Sequence, residues 1–209
     1  MPIEPAQFDD ELAMRTQWSP VVKGGSHVGT HDLKEVSPDR LVFTPTPTSQ
    51  LSVWTMLGIG IAIPVAALLN MNEGVQLDDD NFIAAAAICI FASGFFVAAG
   101  LIMRNGIGRS HTFDRRSGKY WNTRKEPVSP ARGADKAVSL DQIYALQIIE
   151  EHFPATQKQR RYNSYELNLV LDDASRINII DHTEANQVRS EAGKLARFLG
   201  DIPLWDASR

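Results

Sequence analysis

The sequence predicts a membrane protein that combines a hairpin of two transmembrane helices with an α+β domain, whose antiparallel sheet is closed by one C-terminal helix. Two uncharged apolar stretches, residues 51–71 and 82–103, indicate the hairpin, because each can cross a hydrocarbon core of about 30 Å. Alternation of apolar and polar residues after residue 110 indicates the strands. A helical period near the C-terminus indicates the closing helix.

The average composition conceals how sharply apolar and polar sequence are separated. Mean hydropathy is −0.19 and 22% of the residues are charged, yet the strongly apolar sequence lies between residues 51 and 103. A formal net charge of −4 lacks the basic excess of a nucleic-acid-binding surface, so no nucleic-acid partner is expected. The single cysteine, Cys89, excludes an intrachain disulfide and a cysteine-based metal site.

Charges around the apolar stretches predict their orientation. The connecting segment 72–81 carries Glu73 and the run Asp78 to Asp80 without Lys or Arg, whereas many basic residues follow the second stretch. The positive-inside rule places that basic side in the cytoplasm, and two crossings place the N-terminus there too. Segment 72–81 is then a short periplasmic loop. A buried helical hairpin of a soluble protein is the alternative interpretation.

Small residues recur at four-residue spacing in both apolar stretches. We expect them to pack the two helices together, because small side chains let helix backbones approach closely in lipid. Homodimerisation or docking on another membrane subunit is the alternative use. These residues are Gly58, Ala62 and Ala66 in the first stretch, and Ala85, Cys89, Ser93, Gly94 and Ala98 in the second.

Residues 104–209 are predicted to form most of the cytoplasmic domain. Alternating runs at 111–116 and 119–124 flank Ser117-Gly118 and predict a β-hairpin. A second hairpin is predicted from residues 165–171 and 176–180 around a polar turn.

Residues 139–153 fit two interpretations. Ser139 and Gln142 could form a helical capping box, whereas Tyr144, Leu146 and Ile148 alternate as in a strand. We favour a turn at 139–142 and a strand from about 143 to 153. Prolines and a glycine predict that the preceding segment, 125–136, is a loop.

Helical spacing begins near Thr183. A single apolar face is predicted, and Gly200 lies where a helix commonly ends. The apolar tail at 202–205 is expected to fold back on the sheet. The residues of the apolar face are Val188, Ala192, Leu195 and Leu199.

The N-terminal residues are predicted in two parts. Residues 1–26 are expected to be a flexible segment, and 27–50 are expected to contribute strands to the soluble domain. Residues 40–43 alternate just before the first apolar stretch, and 30–36 can form the paired strand. Because both ends of a membrane hairpin return to one side, this strand pair can complete the C-terminal sheet, with the hairpin inserted within one domain.

Several short motifs follow one another in a consistent order. They are Gly24-Gly25 with Thr30-His31, Arg40-Leu41-Val42-Phe43, Phe113-Asp114-Arg115 with Gly118-Lys119-Tyr120-Trp121, Tyr165 to Leu171, and Leu195-Ala196-Arg197-Phe198-Leu199-Gly200. Together with the membrane hairpin they resemble bacterial inner-membrane proteins with a pleckstrin-homology-like (PH-like) cytoplasmic domain, over roughly residues 24–205. The resemblance implies a PH-like sheet and supplies no catalytic residues.

No catalytic, cofactor or metal site is predicted. His27 and His31 are four residues apart, but neighbouring glycines disfavour the helix that would bring them together. We therefore expect a non-enzymatic module that binds a protein partner, a larger membrane complex or a second copy. The alternative is a regulator that binds anionic membrane lipids or small anions through basic residues near the membrane, namely Arg104, Arg109, Arg115, Arg116 and Lys119.

Overall fold

The computed structural model describes residues 3–22, 24–72, 79–123, 137–155 and 160–208. They belong to two compact units, one that combines residues 1–46 with 109–209 and one that holds residues 47–108. The predicted loop at 125–136, and all but the ends of the predicted loop at 72–81, lie outside the described residues.

A five-stranded antiparallel sheet in the first unit follows the order of the chain. Its strands are β1 (His31–Ser37), β2 (Arg40–Pro45), β3 (His111–Asp114), β4 (Lys119–Trp121) and β5 (Val138–Ser139). Gly118 has a φ of 65° in the turn between β3 and β4, a left-handed conformation that glycine adopts without steric cost.

β2 and β3 are neighbours in this sheet although the whole helical unit separates them in sequence. Arg40 pairs with Asp114, and Phe43 pairs with His111. The chain therefore leaves the sheet after Pro45 and returns on the adjacent strand. The helical unit is an insertion between two paired strands, and the first unit is assembled from two segments of sequence.

A second sheet contains four strands in the order β8, β7, β6, β9. The strands β6 to β8 are antiparallel, whereas β9 runs parallel to β6. The strand predicted from about residue 143 is confirmed, and a single 3₁₀ turn at Leu140–Gln142 precedes it. The four strands are β6 (Ile143–Phe153), β7 (Tyr162–Leu171), β8 (Arg176–His182) and β9 (Leu204–Asp206).

One hydrophobic core joins both sheets to a C-terminal helix (Ala185–Phe198), named α4 in chain order. Three residues of the predicted apolar face, Val188, Ala192 and Leu195, are completely buried. They pack with Phe43 and Phe113 of the first sheet and with residues of the second. Neither sheet could bury its apolar face alone, so α4 closes the core between them.

The N-terminal segment differs from the flexible segment predicted from the sequence. A 3₁₀ turn at Pro5–Phe8 leads into a short helix, α1 (Glu11–Arg15), whose first turn is capped by Asp10. Leu12 packs in a small second core beside Ala145 and Val170, on the face of the second sheet that points away from α4. Periodicity did not reveal this contact because the segment contributes only isolated apolar residues.

The C-terminal tail folds back on the second sheet, as predicted. Trp205 in β9 is 2% exposed and lies with its ring centroid 6.2 Å from Phe8 and 6.0 Å from Trp18. Phe8 and Trp18 stack on each other at 4.9 Å. Aromatic contacts thus join both ends of the chain to one sheet.

The second unit consists of α2 (Pro47–Asn72) and α3 (Asp79–Gly106), which extend beyond the predicted stretches at both ends. Leu57 contacts Gly100 and Val97 contacts Gly60, so the two helices run antiparallel. Spans of 23 and 26 residues within them are long and apolar enough to cross a membrane.

Because the first sheet is assembled from two sequence segments, we can predict which parts of the chain fold without the rest. A chain in which Thr46 is joined to Arg109 through a short glycine-serine linker should be soluble and should melt cooperatively. A fragment of residues 105–209 should not, because it lacks β1 and β2 and leaves buried Phe113 uncovered. Thermal unfolding by circular dichroism and two-dimensional NMR test this. A sharp transition of the 105–209 fragment would contradict it.

Candidate functional site

A groove lies between the β1–β2 hairpin and the C-terminal end of α4. It encloses about 390 Å³, within the range of cavities that hold ligands. Among the described residues, its lining combines three apolar side chains with three basic ones and a single acid. These residues are Leu33, Leu41 and Phe198, then Arg115, Lys194 and Arg197, then Glu35.

Side chains of α4 contact β1 at Asp32 and Leu33, so they cover this part of the outer edge of the strand. Gln187 Nε2 donates a hydrogen bond to Asp32 Oδ1 at 3.1 Å. Glu191 Oε1 accepts from the backbone N–H of Leu33 at 3.2 Å and from Gln187 Nε2 at 3.2 Å. Glu191 is 7% exposed, and burial raises the pKa of its carboxyl. The helix thus satisfies an outward-pointing donor of this edge strand.

Beyond Leu33, the backbone groups on the outer edge of β1 face the groove. Backbone groups on successive residues of an antiparallel strand alternate between its two sides, so the N–H of Glu35 points to the same outer side as that of Leu33. No further strand of the described sheet lies on that side, because β1 is its first strand. A bulge between Glu35 and Ser37 then interrupts the regular pairing with β2. The open edge is therefore short.

Arg115 fixes the end of α4 that borders the groove. Its Nε donates to the carbonyl oxygen of Phe198 at 2.8 Å, and its guanidinium lies 4.4 Å from the centroid of the Phe198 ring. A cation at a helix C-terminus satisfies carbonyl groups that have no partner within the helix and interacts favourably with the helix dipole. Arg115 therefore has a structural role besides contributing positive charge to the groove.

A network of charges holds the turns next to Arg115. Arg116 Nε bonds to Asp39 Oδ2 at 2.8 Å, and Arg40 Nε bonds to Asp114 Oδ2 at 2.7 Å. Burial alone would raise the pKa of Asp114, but the hydrogen bond from Arg40 and those from the N–H groups of Arg116 and Ser117 outweigh it and lower the pKa. The network joins the β1–β2 turn to the β3–β4 turn.

The basic residues predicted to bind an anion are divided between the two units. Arg104 lies in the last turn of α3, whereas Arg109, Arg115, Arg116 and Lys119 belong to the first unit. Arg115 and Arg116 are engaged by Phe198 and Asp39, as described above. Their internal contacts reduce their availability to a phosphate group.

The small residues of the helical unit also separate into two sets. Ala85, Cys89 and Ser93 are half-buried, and Ser93 Oγ donates to the carbonyl oxygen of Gly60 at 2.5 Å. The helices also approach closely at Gly60 and Gly100, two glycines that the predicted set does not contain. Gly100 lies seven residues after Ser93, so extending the row of small residues by two helical turns would have found it.

The remaining predicted small residues lie on the outer surface of this unit. Gly58, Ala62, Ala66, Gly94 and Ala98 are exposed. A Cβ atom added at Gly58 or Gly94 would meet no described atom within 4 Å. Packing between α2 and α3 therefore does not use them.

Two buried histidines lie beside the point where the chain returns to the sheet. His31 Nε2 lies 2.7 Å from the carbonyl oxygen of Arg109, and His111 Nδ1 lies 2.8 Å from the Tyr120 hydroxyl. Burial lowers the pKa of His111 to about 3 and also lowers that of His31. Both rings are neutral near pH 7 and stabilise this junction. Within the described residues, no cluster of His, Cys, Asp or Glu could hold a metal ion.

Acidic side chains on the second sheet lie beneath the N-terminal segment. Glu166 is 2% exposed and accepts hydrogen bonds from the N–H groups of Val21 and Val22 at 2.8 and 2.9 Å. It pairs across the sheet with Asp181, whose pKa is raised to about 7 by burial and by the charge of Glu166. Glu166 alternates with apolar residues in β7, and it is buried because the N-terminal segment covers this face of the sheet.

Comparison with protein-family models, curated proteins and solved structures finds no match for this chain. The interpretation of the site therefore depends on its geometry and charge.

The contacts of Arg115 predict its contribution to stability. Replacing Arg115 by Ala removes a charged hydrogen bond and a cation–π contact, and should cost about 1–2 kcal/mol, or roughly 2–8 °C in melting temperature. The measurement is near-ultraviolet circular dichroism of the full chain in detergent. Arg116→Ala is the matched control, because this neighbouring arginine makes an exposed ion pair and its loss should leave melting nearly unchanged. Equal melting of both variants would refute the structural role of Arg115.

Proposed function

We propose that this chain is a non-enzymatic interaction module, held at the cytoplasmic face of a bacterial inner membrane by its helical hairpin, where it binds a protein partner or a membrane complex. The observation that carries the proposal is the groove beside α4, which combines an open strand edge, an apolar floor and basic side chains.

Exposure of the long helices supports the membrane anchor. Core helices of soluble proteins are mostly buried, whereas Phe91 is 79% exposed and Ile102 is 72% exposed. Transfer of each such side chain from water into lipid is favourable by about 1.5–3 kcal/mol. Contiguous apolar surface of this kind indicates a membrane or an extensive partner.

Orientation and the PH-like architecture are further parts of the proposal. The basic residues that follow α3 favour a cytoplasmic location of the first unit, with both termini on that side. Two sheets that share one core with a C-terminal helix support a PH-like domain. Return of the chain to the strand adjacent to β2 supports an even number of crossings.

Binding of anionic lipid is the second candidate function. Juxtamembrane basic residues attract anionic headgroups by about 1 kcal/mol each. The contacts of Arg115 with Phe198 and of Arg116 with Asp39 make this function less favoured than protein binding.

Reporter fusions test the proposed orientation. A cytoplasm-active reporter should give signal when fused before Met1 or after Arg209. A periplasm-active reporter should give signal only when inserted near Leu77. Periplasmic activity at either terminus would overturn the proposed topology.

Affinity purification tests the proposed role. The full chain, extracted in several mild detergents, should recover a specific protein in near-stoichiometric amount, identified by mass spectrometry. A matched protein that retains only residues 47–108 should not recover it, because it lacks the groove. Recovery of the full chain alone in every detergent would contradict the proposal.

A further inference from the structure

We propose that the groove binds an extended, acidic segment of another protein, which adds as a short strand to the open part of β1 and places an aliphatic side chain between β1 and α4. This inference rests on the proposed function, since it names the chemistry of the partner.

The backbone of β1 favours an extended segment over a helix. Glu191 and Gln187 of α4 already engage β1 at Leu33 and Asp32, so the helix follows the edge that far. Beyond that point the groove lies where the outward groups of Glu35 are directed. An added strand can pair with such groups, as in other complexes formed at sheet edges.

Side chains on the groove floor favour an aliphatic anchor. Leu41 is 6% exposed and Phe198 is 9% exposed, and both face the cavity together with the partly buried Leu33. Cross-strand register places Leu41 opposite Glu35, so the floor lies directly below the open edge. A residue that pairs with this edge can therefore direct its side chain onto the floor.

Charges around the groove favour an acidic segment. Of the described residues that line it, Arg115, Lys194 and Arg197 are basic and Glu35 is the single acid. Because Arg115 is engaged by Phe198, Lys194 and Arg197 supply the accessible positive charge. Lys194 and Arg197 are exposed and lie three residues apart on α4, so they project from neighbouring positions of the helix. Carboxylates on both sides of an aliphatic residue would complement these charges.

The short edge also determines how binding is achieved. Because the bulge after Glu35 limits strand pairing to a few residues, the groove alone gives modest affinity. Confinement of both proteins to one membrane raises their effective concentration and offsets this.

Peptide binding to the full chain in detergent tests the inference. The probe is fluorescein-labelled acetyl-Asp-Glu-Leu-Asp-Glu-amide, followed by fluorescence anisotropy. The double substitution Lys194→Glu with Arg197→Glu should weaken binding about tenfold. Lys34→Glu is the matched control, because Lys34 is exposed on β1 but points to the opposite face from Leu33 and Glu35, and it should weaken binding less than about twofold.

Two altered peptides separate charge from backbone pairing. A peptide with Lys in place of every acid should not bind, and one with N-methyl-leucine at its centre should bind at least about tenfold more weakly, because it lacks a donor for the strand edge. Hydrogen exchange should show that the acidic peptide protects residues 33–41 and leaves 162–171 unchanged. Equal binding of the lysine peptide, or full affinity of the double variant, would overturn the inference.

Failure of this inference differs from failure of the proposed function. If the double variant still recovers the partner that the wild type recovers, the acidic-segment inference is wrong while the interaction module stands. The inference is also wrong if the acidic peptide does not bind while the double variant loses another interaction. Lost self-association would show that the groove binds a second copy, and lost binding to phosphatidylglycerol nanodiscs would show that it binds a membrane. If neither the wild type nor the double variant recovers a partner, the proposed function fails.

Discussion

Pairing between β2 and β3 is the constraint on which the rest of the structure depends. The ladder from Arg40–Asp114 to Phe43–His111 requires the two ends of a long helical insertion to lie on adjacent strands. Antiparallel α2 and α3 meet this requirement, and their exposed apolar surfaces are compatible with two crossings of a bilayer. Buried His31 and His111 lie beside the same junction, where they supply polar contacts without carrying charge near pH 7.

Helix α4 links the stability of the first unit to its candidate binding surface. One face of the helix buries Val188, Ala192 and Leu195 in the core, and another side engages the edge of β1 through Glu191. Because Arg115 holds the last turn, the position of the groove wall depends on the same contacts that close the core. Such rigid support is what a recognition surface requires, since ordering a mobile wall would reduce affinity.

Local periodicity predicted most of the fold, whereas the contacts of the N-terminal segment were missed. Alternation located β6 and β7, and helical spacing located α4, because each pattern arises within one element. The N-terminal contacts depend on Phe8 and Trp18, isolated residues whose partner Trp205 lies at the other end of the chain. From the sequence, Arg115 and Lys119 were identified only as basic residues near a membrane. The groove could not be predicted from the sequence, because it is tertiary structure that brings Lys194 and Leu41 together.

Interruption of the first sheet sets an order for biosynthesis. Residues 31–45 leave the ribosome before the two apolar helices, yet a two-stranded hairpin alone is marginally stable in water. β3 and the rest of the sheet follow only after both apolar helices have been made. At about 5–20 residues per second, the hairpin waits several seconds for its neighbouring strand. Synthesis of both apolar helices therefore precedes closure of the sheet, so a chain in which β3 does not pair leaves the edge of β2 exposed, and unpaired strand edges promote aggregation.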